Sequence, residues 1–235
     1  MKRQSNFSFL NMLILLGFIA LALLIISSML SRKEGDKVAF FGGDSGGLFR
    51  AQVAGISSDL GGLTLPAFSQ RDRQQYLDDA EYNLWSASAC SATATAALLN
   101  GLGKQVRTSD VLAIMRENNA ISPDRGLYDY SVFKKIGDRF NLRTDYREGG
   151  DLNSHFNSII SNLKSGTPVI INVIDAQFFP NGHFIAAFRY NSDDTVSVVN
   201  PDPLPGRPVI QNWTVDALKT YFSRSPRSAA FFLRT

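Results

Sequence analysis

The sequence has a single cysteine, Cys90, among its 235 residues. One cysteine excludes an intramolecular disulfide, and it also excludes cysteine-rich metal sites. No metal site and no bound cofactor are predicted. Long runs of Lys and Arg are missing as well, and the formal net charge is only +3. A nucleic-acid-binding surface normally needs such clusters, so no nucleic-acid partner is predicted.

Charged side chains are absent from residues 4–31, and residues 10–30 are mostly Leu, Ile, Ala, Phe and Met. A helix of this length spans about 31 Å, close to the thickness of a bilayer core. A cleavable signal peptide is the alternative, because Lys2 and Arg3 make a basic start. The apolar run is longer than a usual signal-peptide core, and residues 27–30 form a poor cleavage site. An uncleaved transmembrane anchor is therefore favoured.

Orientation of this anchor is harder to predict. Basic residues flank both of its ends, so the positive-inside rule does not decide. A short basic N-terminus before a first apolar segment is the usual start of an exported chain. We therefore expect a single-pass protein of the cell membrane with its soluble domain outside the cytoplasm.

The remaining pattern gives the domain organisation. Residues 1–9 form a basic N-terminus, residues 10–30 the anchor, residues 31–68 a Gly-rich linker or arm, and residues 69–235 one domain. Apolar spacing predicts helices from about 88 to 101, from 109 onwards, and over 131–140, 152–164 and 215–222. A β-branched run predicts a strand at 168–173, and further strands are predicted at 184–190, 195–199 and 229–233. Helices followed by antiparallel strands indicate an α+β fold.

Cys90 follows Trp-Ser-Ala-Ser-Ala at the predicted start of the first helix of this domain. The free N–H groups and the dipole of a helix N-terminus favour an anion, so this position should lower the pKa of the thiol. The same N–H groups can stabilise an oxyanion on a substrate carbonyl. The alternative is an inert, buried cysteine, and position alone does not decide between the two.

His183 follows Phe-Pro-Asn-Gly and begins a predicted strand, where its ring can face a cleft. The alternative is a loop histidine without a function. The other histidine, His155, lies in an ordinary polar helix pattern and is predicted to be solvated. Asn200 and Asp202 follow the next strand, and in a hairpin either side chain could accept the second ring N–H of His183. Either could equally be a turn residue before proline.

The sequence resembles one known family in three features. These are a cysteine at a helix start, a Gly-His that opens a strand, and a hairpin that ends in a polar residue and proline. This family comprises the papain-like cysteine peptidases that cleave bacteriocin leaders after a double glycine, and the resemblance covers about residues 70–235. It implies a papain-like fold in which N-terminal helices pack on an antiparallel sheet. It also implies Cys90 as nucleophile, His183 as general base and acid, and Asn200, or secondly Asp202, as the orienting group. The substrate would be a peptide or protein.

One position departs from the family pattern. The family has an oxyanion-hole glutamine six residues before the cysteine, and this chain has Leu84 there. Asn83, Ser86 or Ser88 are the substitutes that the sequence offers, with the Cys90 backbone N–H as the other donor. Loss of one such donor typically lowers the rate about a hundredfold or more.

Two functions of different class therefore remain open. The first is a membrane-anchored thiol hydrolase, expected to be a cysteine peptidase. The second is a degenerate papain-like domain that binds a peptide or protein without cleaving it. An amidase or acyl transferase that uses the same thiol is a third option, because a fold alone does not fix the reaction.

Overall fold

The structure is a computed structural model that describes residues 63–234. The predicted anchor at 10–30 and most of the predicted arm at 31–68 lie outside the described residues. Across residues 63–234, no helix combines the length and the apolar character needed to cross a membrane.

The described residues form six α-helices and eight strands, with three helices first and four successive strands later in the chain. The helices are α1 (Asp79–Trp85), α2 (Cys90–Gly101), α3 (Thr108–Glu117), α4 (Val132–Arg139), α5 (Leu152–Lys164) and α6 (Val215–Ser223). The strands are β1 (Ile121–Ser122), β2 (Gly126–Leu127), β3 (Leu142–Arg147), β4 (Val169–Asp175), β5 (Phe179–Tyr190), β6 (Thr195–Val199), β7 (Ile210–Thr214) and β8 (Ala229–Arg234).

Six of the strands form one antiparallel sheet in the order β3-β8-β4-β5-β6-β7, and β1 pairs with β2 in a separate hairpin. At the centre of the large sheet, Val173 of β4 lies opposite His183 of β5. On the other side of β5, Ala186 lies opposite Val199, the last residue of β6. The predicted hairpin between these two strands and the mixed helix-and-sheet class are confirmed. The hairpin brings the residues after β6 close to the first half of β5.

Helices cover both faces of the sheet. Ile170 and Phe184 belong to a core shared with α2, α3 and α4, whereas Ile171 and Ile185 belong to a second core shared with α5 and α6. Successive strand residues point to opposite faces. Since both faces are covered, β4 and β5 are apolar in consecutive positions and do not alternate with polar residues.

The helix α2 is buried over residues 91–99. Its side chains are mostly Ala, Ser and Thr, so the helix can pack closely against β5. Its hydroxyl groups have partners: Thr95 Oγ1 donates to the Ser91 carbonyl at 2.7 Å, and Thr108 Oγ1 donates to Thr93 Oγ1 at 3.2 Å. Buried polar groups are tolerated when they are hydrogen-bonded. This packing holds the first turn of α2, which carries Cys90, against β5.

Several boundaries differ from the sequence-based prediction. The predicted N-cap Ser109 lies inside α3, which begins after Arg107, whose backbone N–H donates to the Asp110 carboxylate at 2.7 Å. Strand β5 begins at Phe179, so His183 lies within the strand and is not its first residue. The strands β3 and β7 were missed because they form the two edges of the sheet, where partly exposed polar residues replace an apolar run.

The prediction that His155 is solvated is wrong. This residue is buried on α5, its Nδ1 lies 3.2 Å from the Gly149 carbonyl, and its ring packs edge-on against Phe222 at 5.1 Å. The polar residues around it in the sequence concealed that its helix face packs against α6. His155 therefore belongs to the second core and not to a surface.

The last residues of the predicted arm that the structure describes pack against the domain. Leu65 is 2% exposed and belongs to the first core. A Cβ at Gly101, the last residue of α2, would lie 2.1 Å from Leu65 Cδ2. Glycine at this position therefore allows the chain around Leu65 to lie against the end of α2.

Candidate active site

Cys90 is the first residue of α2 and is partly exposed. Its N-cap, Ala89, provides no side-chain hydrogen bond, so the first N–H groups of the helix are not capped by a side chain. The backbone N–H groups of Ser91 and Phe184 both act to stabilise the thiolate. Because Phe184 is the residue after His183, the structure places the thiol beside the part of β5 that carries the imidazole.

His183 forms a hydrogen bond with Asn200, with 2.8 Å between Nε2 and Oδ1. The backbone N–H of Asp202 also donates to Asn200 Oδ1, at 3.2 Å. A backbone N–H can only donate, so the atom of the Asn200 amide that it faces is the oxygen. The proton in the His183–Asn200 bond must therefore be on Nε2. In the neutral ring, Nδ1 then keeps a free lone pair and can accept a proton.

Phe179 covers one face of this imidazole. The two rings are stacked, with centroids 4.3 Å apart and planes 8° from parallel. His183 is consequently 4% exposed even though it belongs to the site. Stacking and the Asn200 bond together fix the plane and the tautomer of the ring. Among residues 63–234, no hydrogen bond joins the Cys90 thiol to His183, so a direct contact between them stays a prediction.

Burial has the largest effect on the pKa values of both His183 and Cys90. It lowers the pKa of His183 to about 4, while the hydrogen bond to Asn200 and the charge of Asp202 act in the opposite direction. It raises the pKa of Cys90 to about 11, against the effect of the backbone N–H groups. Part of Cys90 reaches the surface, but protein surrounds the thiol closely enough that lost hydration outweighs the helix N-terminus. The expected lowering of the thiol pKa is therefore wrong for the free protein, in which thiol and imidazole are both neutral at pH 7.

Asp202 does not bond to the imidazole through its carboxylate. Arg71 binds this carboxylate with two hydrogen bonds, Nε to Oδ1 at 3.1 Å and a terminal nitrogen to Oδ2 at 3.0 Å. The sequence left Asn200 and Asp202 as alternatives for orienting His183, and the side-chain contact is made by Asn200. Asp202 contributes its backbone N–H and a nearby negative charge.

Gln70 is a site residue that no pattern in the sequence indicates. It is 2% exposed, and its Nε2 donates to the Ser86 carbonyl at 2.9 Å and to Asp202 Oδ2 at 3.2 Å. Its backbone N–H donates to the Pro201 carbonyl at 2.9 Å. Gln70 therefore links the chain before Cys90 to the chain after Asn200. It lies twenty positions before the cysteine in the sequence, where spacing gave no signal for it.

The predicted substitutes for an oxyanion donor lie in different surroundings. Asn83 and Leu84 are exposed on α1, and Leu84 is 55% exposed. Ser86 is buried, and its carbonyl accepts the hydrogen bond from Gln70. The Ser88 hydroxyl donates to the Trp85 carbonyl at 3.3 Å. Gln70, in contrast, is a buried amide that bonds both to Ser86, before Cys90, and to Asp202, after Asn200.

The solved structures that are similar to the chain include the following two. One is described as a C39-like peptidase from Bacillus anthracis, with 13% identity, a TM-score of 0.48, and coverage of 73% of this chain and 95% of that chain. The other is the Pseudomonas avirulence protein AvrPphB, with 9% identity, a TM-score of 0.31, and coverage of 62% and 90%. Neither similarity is close enough to carry an argument about function.

Comparison with curated protein sequences gives no match. A family model gives a clear one, and it agrees with the resemblance that the Cys90 segment and the Gly-His strand indicate. The model of the Peptidase_C39 like family matches residues 63–225, which is more than half of the chain. The chain therefore belongs to this family of papain-like cysteine peptidases.

Proposed function

We propose that the protein is a membrane-anchored cysteine peptidase in which Cys90 is the nucleophile, His183 the general base and acid, and Asn200 the orienting residue. The observation that carries this proposal is the 2.8 Å hydrogen bond between His183 Nε2 and Asn200 Oδ1. This bond leaves His183 Nδ1 free to accept a proton. His183 lies on β5, the strand against which α2 packs. A histidine fixed by a third group beside a thiol is the arrangement that activates a nucleophile.

The reaction starts from a neutral thiol and a neutral imidazole. As Cys90 Sγ attacks the carbonyl carbon, its proton passes to His183 Nδ1, and the carbonyl oxygen becomes an oxyanion. His183 then returns this proton to the leaving amine, the C–N bond breaks, and a thioester remains on Cys90. Water gives a proton to His183 and attacks the thioester. Collapse of that intermediate releases the carboxylic acid and restores the thiol.

The oxyanion needs donors that are in place before the reaction. The Cys90 backbone N–H, at the start of α2, is the first. Gln70 Nε2 is proposed as the second, because its 3.2 Å bond to Asp202 is the weaker of its two and Asp202 keeps both bonds from Arg71. One N–H of Gln70 can therefore turn from Asp202 to a substrate oxygen while the Ser86 bond holds the side chain. This assigns the family's missing donor to a residue far from Leu84 in the sequence.

Reactivity of Cys90 towards two kinds of electrophile tests the catalytic proposal. Iodoacetamide should alkylate the free protein slowly at pH 7, with a rate that rises towards a pKa of about 11 and not towards the usual value near 8.5. A peptidyl vinyl sulfone should react far faster at pH 7, because it binds as a substrate does and His183 takes the thiol proton. His183→Ala should remove this advantage.

Cys90→Ala is the control, since the chain has no other thiol. The raised pKa of Cys90 also fits the second candidate, a domain that binds peptides without cleaving them. In that case the ratio of the vinyl sulfone rate to the iodoacetamide rate would equal the ratio found for a free thiol in solution. His183→Ala would then leave both rates unchanged.

The anchor is a separate part of the proposal and is supported by the uncharged, apolar residues 10–30. We expect the full chain to stay with membranes through alkaline carbonate washing and to need detergent for release. Removal of residues 1–31 should give a protein that is soluble without detergent and keeps its thermal unfolding transition. Release of the full chain by carbonate at its unprocessed mass would contradict the anchor.

A further inference from the structure

A cavity of about 530 Å³ adjoins the catalytic imidazole. Two of its lining residues, Asn200 and Phe179, are the residues that contact His183 by hydrogen bond and by stacking. The rest of its wall comes from Phe178 just before β5, from the chain after β6, from β7 and from α6. The cavity is therefore separated from the imidazole by one layer of side chains, and the mechanism proposed above does not use it.

The walls of the cavity are mainly aromatic and aliphatic. Trp213 packs edge-on against Tyr221 at 5.4 Å, and its indole N–H donates to Gln211 Oε1 at 2.7 Å, so the ring is held in place. Phe178 is 39% exposed and Leu204 is 41% exposed. These are two of the few large apolar side chains that residues 63–234 leave in solvent, and both line this cavity. A cavity of this size with a preformed aromatic wall suits an apolar side chain.

The chemistry of peptide cleavage decides which side of the substrate lies here. The acyl half of the substrate becomes attached to Cys90, whereas the amine half receives its proton from His183. The amine must therefore leave past the imidazole. Residues that follow the scissile bond then pass over Phe179 and Asn200, which form the boundary of the cavity.

We propose that this cavity is a leaving-group subsite that binds an aromatic or large aliphatic side chain one or two residues after the scissile bond. The proposal rests on the peptidase function proposed above and adds the substrate class. Arg207 is the one formally charged residue in the lining, and it takes part in none of the ion pairs of residues 63–234. Its guanidinium favours a carboxylate on the leaving peptide, beyond the apolar side chain.

The test uses the detergent-solubilised full chain and a peptide library whose cleavage products are sequenced by mass spectrometry. For the wild type, Phe, Tyr, Trp or Leu should be enriched on the order of tenfold at the first or second position after the cleaved bond. Phe178→Ala and Leu204→Ala should reduce this enrichment and leave the acyl-side preference unchanged. Arg207→Gln should reduce only an acidic preference at the next positions. Leu77→Ala is the matched control, because Leu77 is an exposed leucine outside the cavity.

Each outcome supports or overturns the subsite. Cleavage with no apolar preference after the scissile bond would overturn it while the peptidase proposal stands. The same preference in the wild type, Phe178→Ala and Leu204→Ala would also overturn it, because the preference would arise elsewhere. If no peptide is cleaved, and if the vinyl sulfone reacts with Cys90 no faster than with a free thiol, the subsite and the peptidase function are both overturned.

Discussion

Cys90→Ala is expected to lower the rate of peptide cleavage by at least about 10⁴-fold, because the substrate then has no nucleophile to form the thioester. His183→Ala should cause a loss of similar size, since the neutral thiol has a pKa of about 11 and cannot ionise at pH 7 without a base. Removing both residues should cost little more than removing one, because they act in one proton transfer. The measurement is kcat/KM for a library-derived peptide with each single and double variant.

His155→Ala is the matched control for the His183 variant. Both histidines are buried, at 5% and 4% exposure, and burial lowers the pKa of each. His155, however, packs against Phe222 in the second core. His155→Ala should therefore lower the stability of the fold and keep kcat/KM within a few-fold. Loss of cleavage in His155→Ala and its retention in His183→Ala would contradict the assignment.

Local sequence features predicted the part of the site that depends on local structure. Cys90 precedes a run of small residues that only a closely packed helix would use, and the structure has it at the first position of α2. His183 lies on β5, the first strand of a hairpin, and Asn200 directly follows β6, the second strand, so their proximity followed from strand pairing. In both cases the sequence neighbours of a residue are also its spatial neighbours.

Features that depend on distant parts of the chain were not predicted. Gln70 reaches Ser86 and Asp202 because the chain near Leu65 packs on α2, and no local pattern reports that contact. The predicted direction of the Cys90 pKa shift was wrong for a related reason. A helix N-terminus is visible in a sequence, whereas the desolvation that outweighs it depends on how closely β5 covers Cys90.

The edge strands show the same limit in the fold. The central strand β4 is covered on both faces, so its buried apolar run predicted it correctly. The strand β7 lies at the edge of the sheet, and its sequence Ile-Gln-Asn-Trp-Thr has no such run. Its polar and aromatic residues line the cavity beside His183, and Trp213 also packs against the second core.

Gln70→Ala is expected to lower kcat by about a hundredfold, as the loss of one oxyanion donor does. The donor acts on the substrate oxygen, so the pH dependence of Cys90 alkylation by iodoacetamide should not change. Leu84→Gln should fail to restore activity to this variant, because residue 84 is 55% exposed on α1 and the bonds of Gln70 to Ser86 and Asp202 stay missing. This result would show that the oxyanion donor in this chain is provided from position 70 and not from position 84, where the family pattern has it.

The control for Gln70→Ala must report the cost of removing any buried glutamine. Gln75 is 5% exposed, and its Oε1 accepts from the Thr108 backbone N–H at 3.3 Å, in contact with α3 and not with the site. Gln75→Ala should therefore lower thermal stability to a similar degree while kcat stays nearly constant. If Gln70→Ala instead shifts the alkylation profile of Cys90 and leaves kcat within a few-fold, Gln70 is not the oxyanion donor. Its role would then be to hold the Ser86 and Asp202 loops in register around the thiol.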